Sequence, residues 1–194
     1  MLNFSRILNK KFLFVFVFVL ILVVGGGFFW WNGNQKDVRE LNKNLPEGMR
    51  VVKNLFGFGN EYKVVDKIDG YEFKVPKEWR GMKKITYYEQ TKTEAPGISI
   101  DTQSGDLFGI GVVKLENEQI SLESWTQERI IKSIPSHWKI EKQFLNDIET
   151  IKLWSEKQSL SGIPLYFFKK DSKIYNISGT SEDFIRYIIA NGKW

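Results

Sequence analysis

Apolar positions change their spacing several times along the chain, and each change marks a different kind of element. Residues 12–31 carry no charged side chain. A helix of 20 residues spans about 30 Å, the thickness of a bilayer's hydrocarbon core. "KDVRELNKNL" (36–45) puts Val38, Leu41 and Leu45 at helical spacing ahead of Pro46 and Gly48, which predicts a short helix in a polar spacer. From about Glu61 the period becomes two. "GYEFKVPKEW" places Tyr71, Phe73 and Val75 on one face and Glu72 and Lys74 on the other. That is a half-buried strand, ended by Pro76, after which Trp79 folds back over the core edge. "KITYYEQ" (84–90), "GISIDT" (97–102) and "LFGIGVVKL" (107–115) read as further strands. In the last, Gly109 and Gly111 alternate with Phe108, Ile110 and Val112, and such glycines leave room for a large neighbour or another backbone.

The period then turns helical. Ser121 caps "SLESWTQERIIKSIP", Glu123 sits in the first turn, and Leu122, Trp125, Ile130 and Ile134 form a stripe. A helix over 122–134 follows, closed by Pro135. "WKIEKQFL" (138–145) and "ETIKLWSEK" (149–157) alternate weakly. "IPLYFFKK" (163–170) is a continuous apolar run suited to a central strand, and "KIYNIS" (173–178) makes a hairpin with it across "KDSK". Thr180 or Ser181 caps a closing helix in which Glu182 and Asp183 meet the positive dipole end, Phe184, Ile185, Ile188 and Ile189 are buried, and Gly192 follows the last turn. Strands joined by hairpin-length connections, with two helices packed on them, predict an α+β domain around an antiparallel sheet.

The apolar run near the start also fits the core of a cleavable signal peptide, because its most apolar part is only residues 12–24. The flanks favour a retained anchor. Gly25, Gly26 and Gly27 are small enough for cleavage, but no A-x-A-like triplet occurs, and Phe28, Phe29, Trp30 and Trp31 resemble an interfacial aromatic belt. Lipoprotein processing is closed, because the chain has no cysteine. Arg6, Lys10 and Lys11 precede the run without an acid among them, so the positive-inside rule keeps residues 1–11 in the cytoplasm and sends the rest across. The expected organisation is a cytoplasmic N-terminus (1–11), a transmembrane anchor (12–31), a juxtamembrane linker (32–59) and an extracytoplasmic domain (60–194).

Charge then bears on partners. All 23 acidic residues and all but three of the 28 basic ones lie after the anchor, leaving the exported part at a formal +2. Basic and acidic residues alternate there, without the lysine and arginine block that follows a phosphate backbone, so no nucleic-acid partner is expected. The absent cysteines exclude disulfides and thiolate metal sites, and the single histidine, His137, excludes a paired-histidine motif.

With those elements in place, the chain resembles the PsbP-like domains. "GYEFKVPKEW" is similar to their opening aromatic strand with a Pro-x-x-Trp break. The likeness continues in the helix carrying Trp125 and ends in "LYFFKKDSKIYNISGTSEDFIRYIIANGKW", across residues 60–194. It implies an α/β/α sandwich and an accessory or binding role rather than catalysis. No ligand residues carry over with it, and the anchor together with the lack of a plastid transit peptide sets the chain apart from photosynthetic members.

Candidate sites are few. "FGFGN" (56–60) lacks the preceding strand, third glycine and following helix of a nucleotide loop, and reads as a turn, with Phe56 and Phe58 as a partner-binding patch if exposed. His137 would need an orienting acid and a nucleophile beside it to act as a base. Asp101 and Asp106 in "DTQSGD" lack the ligand spacing of a calcium loop. Glu116 with Glu118, and Asp147 with Glu149, share strand faces as solvated edges commonly do. No catalytic, cofactor or metal residues are expected. The reading is a membrane-anchored binding or accessory module for a protein or envelope component. An anchored envelope hydrolase and a subunit of a larger membrane complex are the alternatives.

Overall fold

The computed structural model describes residues 15–22, 24, 26, 35–53, 61–75, 82–91, 95–134, 137–155 and 163–194. The chain forms two compact units, Met1–Glu40 and Leu41–Trp194. In the first, residues 15–22, 24 and 26 are helical, and the large apolar side chains from Val15 to Leu22 and at Val24 are 46–63% exposed. Among the described residues no helix is long and apolar enough to cross a membrane; the expected 12–31 span lies partly outside them.

Helix α1 (Lys36–Asn42) forms where Val38 and Leu41 take helical spacing. The ordered fold starts earlier than residue 60. Met49–Lys53 is a strand, β1, and the Asn42 amide pins it, donating to the Val51 carbonyl (2.9 Å) and accepting from the Val51 N–H (2.7 Å). The expected linker therefore contains structure, because Met49 and Val51 bury their side chains while Arg50 stays in solvent.

Strand β1 pairs antiparallel with β2 (Tyr62–Asp66), and β2 with β3 (Tyr71–Lys74). The tight β2–β3 turn is closed by Asp66, whose Oδ1 accepts from the N–H groups of Ile68 (2.7 Å) and Asp69 (3.0 Å). Seven further strands make a second sheet: β4 (Met82–Tyr88), β5 (Gly97–Thr102), β6 (Leu107–Lys114), β7 (Trp138–Leu145), β8 (Ile148–Ser155), β9 (Leu165–Lys170) and β10 (Lys173–Gly179). Their order is β4-β5-β6-β10-β9-β8-β7, antiparallel throughout. The antiparallel α+β reading holds, with one correction: the described strands form two sheets. Tyr71 and Phe73 turn their rings onto Tyr175 and Phe108 of the larger sheet, so the small sheet stacks on it face to face instead of extending its edge.

Both strong hairpins have the turn chemistry to set their register. Asn146 and Asp147 link β7 to β8 at φ 49° and 66°, the left-handed pair of a type I′ turn. The β9–β10 hairpin turns at Asp171 (φ 52°), as "KDSK" predicted. Strand β9 is central and covered on both faces, with Tyr166, Phe167 and Phe168 buried in succession.

The helices take opposite faces of the large sheet. Helix α2 (Leu122–Arg129), capped by the Ser121 hydroxyl on Ser124 N–H (3.0 Å), lays Leu122 and Trp125 onto Ile151, Leu153, Phe167 and Ile174. It is shorter than the expected 122–134: after Arg129 the chain tightens into a 3₁₀ turn, Ile131–Ser133. Ile130 and Ile134 still pack on that cluster, because a 3₁₀ turn keeps the stripe on the same side while shortening the element. Helix α3 (Glu182–Asn191), capped by Ser181, covers the other face beside the small sheet. Phe184 meets Phe108 edge to face at 5.0 Å, and the Trp194 ring packs on Phe168 (4.7 Å) and Tyr175 (5.1 Å).

Candidate functional site

Strands β5, β6 and β10 present two unlike faces. Toward α3 and the small sheet they bury Ile98, Ile100, Phe108, Ile110, Val112, Tyr175 and Ile177, each at most 2% exposed. On the opposite face the register lines up Asn176, Gly111, Gly97 and Tyr88 in one cross-strand row, and Ser178, Gly109 and Ser99 in the next. A period of two buries those large side chains on one face and leaves glycine, serine and asparagine over the middle of the other, between Leu107 at one end and Val113 and Ile174 at the other. Helix α2 covers only the β8–β10 half of this second face. The remaining half forms an open trough of about 530 Å³.

The glycines of the floor differ in what they do. A Cβ at Gly97 would collide with the Ile110 carbonyl oxygen and sit 3.0 Å from the Gly111 Cα, so that position is closed by the approach of the neighbouring strand. A Cβ at Gly109 would lie 3.4 Å from Ser178 Oγ, and one at Gly111 3.5 Å from Asn176 Nδ2. Those are ordinary contacts or nearly so, and side chains there would stand in the trough. Its walls are Tyr88 and Leu107, which are 52% and 46% exposed, with Ile163 beside them. The Tyr88 hydroxyl is held to Ser99 Oγ at 3.2 Å, which fixes the ring over the floor. Among the described residues no charged side chain lines the trough. It can hydrogen-bond through an amide and hydroxyls, and it can stack through one ring.

Two polar clusters lie elsewhere and tie elements together. In the β2–β3 turn, the Asp69 carbonyl accepts from Lys173 Nζ (2.7 Å) and the Tyr175 hydroxyl (3.0 Å), joining the small sheet to β10. Burial, then Asp66, raises the Asp69 carboxyl above its ordinary range, and burial, then Asp69, pushes Tyr175 up to about 12. The Tyr71 hydroxyl sits beside Asp66 and is driven well up by burial and then by that carboxylate, yet neither it nor Asp66 Oδ2 completes a hydrogen bond among the described residues. At the start of α3, Glu182 Oε1 accepts from Lys152 Nζ (2.6 Å) and the Tyr166 hydroxyl (2.7 Å). Arg186 donates to Gln143 across the same gap at 2.9 Å. Burial pulls the Glu182 carboxyl up, but the bonds from Lys152 and Tyr166 hold it below its ordinary range.

The residues singled out in the sequence are not brought together. Phe56 and Phe58 lie outside the described residues, so their patch has no geometry here. His137 is exposed on the turn before β7. Asp106 accepts from Ser104 (2.7 Å) and Thr180 (3.1 Å) in an ordinary β5–β6 loop. The Glu118 carbonyl receives Lys169, and Glu149 pairs with Lys142 at 2.6 Å. No grouping of three His, Asp or Glu suited to a metal forms among the described residues. Gly109 and Gly111 were visible as a pattern. Tyr88, Ser99, Asn176 and Ser178 were not, although "GISID" and "YNIS" show the same alternation, because sequence does not reveal which strands become neighbours.

No family model matches the chain, and no curated protein matches it. Among solved structures it is similar to the solution structure of cyanobacterial PsbP from Synechocystis sp. PCC 6803. The two share 10% identity over 72% of this chain and 91% of that chain, with a TM-score of 0.42. That protein is of the kind that the aromatic strand and Pro-x-x-Trp break resemble.

Proposed function

We propose that the chain is a membrane-anchored, extracytoplasmic binding module whose trough on β5, β6 and β10 receives a partner or envelope component. The observation that carries this reading is the asymmetry of those three strands. One face is fully packed, while the other is stripped to glycine, serine and asparagine and walled by a half-exposed tyrosine and leucine. Pockets with a few convergent polar groups and apolar walls are where proteins hold ligands. The trough's amide, hydroxyls and ring are groups that hold and orient, which favours binding over hydrolysis.

Anchoring rests on the uncharged 12–31 run and on its helical part, where large apolar side chains point outward on all sides. A helix apolar all round needs an apolar medium. The basic N-terminal flank favours export of the remainder.

One experiment tests both parts. Full-length protein is expected in the carbonate-resistant membrane pellet, with its C-terminus digested by protease added outside intact cells. Gly109→Val, which stands a branched side chain on the trough floor, is expected to lower co-sedimentation of residues 32–194 with envelope material about tenfold. A protected C-terminus would overturn the topology, and unchanged co-sedimentation would overturn the trough.

A further inference from the structure

We infer that the trough is a subsite for a neutral, hydroxyl-rich ring, a sugar residue of a glycan, stacked on Tyr88 and hydrogen-bonded by Asn176 and Ser178. The inference rests on the binding reading above and names its ligand class.

The lining chooses among ligand classes. A phosphate or carboxylate entering the trough would lose hydration without meeting a cation among the described residues of its walls, which disfavours an anionic ligand. A purely apolar plug, such as a partner's aromatic side chain, would fit the volume. It would also seal the Asn176 amide and the Ser178 hydroxyl, which have no hydrogen-bond partner among the described residues. Leaving one such group dry and unpaired costs roughly five- to 150-fold in affinity. A sugar ring avoids both penalties. Its C–H faces can lie against Tyr88 and Leu107, while its hydroxyl edge reaches the amide and the serine hydroxyls on the floor. The Asn176 amide supplies two donors and one acceptor, which suits a vicinal diol. The strand backbone beneath is committed to the sheet ladder, so these side chains carry the polar recognition. The bond from Tyr88 to Ser99 keeps the ring in place before a ligand arrives, which lowers the ordering cost of binding. A volume of about 530 Å³ is within the range of small-ligand sites.

The test titrates the full chain in detergent micelles by calorimetry with neutral oligosaccharides (N-acetylglucosamine, glucose and mannose oligomers) and with uronic-acid oligomers of matched length. At least one neutral series is expected to bind, about tenfold or more tighter than its acidic counterpart. Asn176→Ala, which leaves the backbone alone, is expected to weaken binding roughly five- to 150-fold. Gly109→Val and Tyr88→Ala are each expected to weaken it about tenfold or more, with thermal midpoints confirming that each variant is folded. Absence of neutral-sugar binding up to ~10 mM overturns the sugar assignment, as does neutral binding that Asn176→Ala leaves unchanged. If Gly109→Val still abolishes envelope association while no sugar binds, the trough reading stands and the ligand class falls. If Gly109→Val alters neither, both fall.

Discussion

Two glycines of the trough floor make opposite demands on a side chain. At Gly97 a methyl group runs into the Ile110 carbonyl of the paired strand, and backbone cannot yield as a side-chain tip can. Gly97→Ala is expected to cost about 1–3 kcal/mol through overpacking, read as a lower urea midpoint with unchanged m-value. At Gly109 the same methyl meets only Ser178 Oγ at 3.4 Å and the Ile98 carbonyl at 3.6 Å. Gly109→Ala should be neutral or gain up to ~1 kcal/mol, because alanine gives the unfolded chain less freedom to lose. A tolerated residue at Gly97, or a damaging one at Gly109, would contradict the register that places Gly97 against Gly111.

At the scale of elements, the start of α3 is a charge-dependent joint. Glu182 holds Lys152 of β8 and Tyr166 of β9, and its carboxyl lies below its ordinary 4.5 because those two bonds outweigh its burial. A depressed carboxyl contributes stability that is present above its unfolded pKa and is lost as pH falls through its folded one. The urea midpoint is therefore expected to drop as pH falls below about 4.5, and Glu182→Gln should flatten that limb while lowering the plateau at neutral pH. The plateau loss should be only about 1 kcal/mol, because the Glu182 side chain is 40% exposed and water screens the pair. Tyrosines set the alkaline limb. Burial, then the bond to Glu182, raises Tyr166, and burial, then Asp69, takes Tyr175 to about 12. Both contributions are complete below pH 10; that of Tyr175 should be lost between 10 and about 12 and that of Tyr166 at higher pH still, which spectrophotometric titration alongside circular dichroism would follow.

Over the whole Leu41–Trp194 unit, the layers are held by contacts far apart in sequence. Glu72 and Lys193 exchange backbone hydrogen bonds of 2.8 and 2.7 Å, which bring Trp194 onto Tyr71, Phe168 and Tyr175 between the two sheets. The indole N–H is satisfied by the Ile189 carbonyl at 3.1 Å. Trp194→Ala is expected to lower stability by about 2–4 kcal/mol, somewhat less than for a fully buried tryptophan because its side chain is only partly enclosed. A loss under ~1 kcal/mol by urea denaturation would mean that Tyr71, Phe73 and the bonds to Asp69 hold the small sheet without help from the indole.

The sequence by itself determined the kinds of element and their inward faces. The alternation in "GYEFK" and "LFGIGVV", the helical stripe of α3 and the turn residues of the β9–β10 hairpin are local, because propensity, capping and side-chain period act over a few residues. It also exposed the glycine alternation at 109 and 111, and the charge-free run at 12–31. The tertiary structure alone decided that β3 stacks on the large sheet, that residues 49–53 join the fold, and that β6 lies between β5 and β10. Those outcomes depend on which apolar faces meet across the molecule, and that competition is settled by burial between segments far apart in sequence, such as those of Tyr71 and Trp194. The trough belongs to this second group. Each strand shows its own small residues, but only pairing brings Tyr88, Ser99, Gly109, Asn176 and Ser178 into one surface.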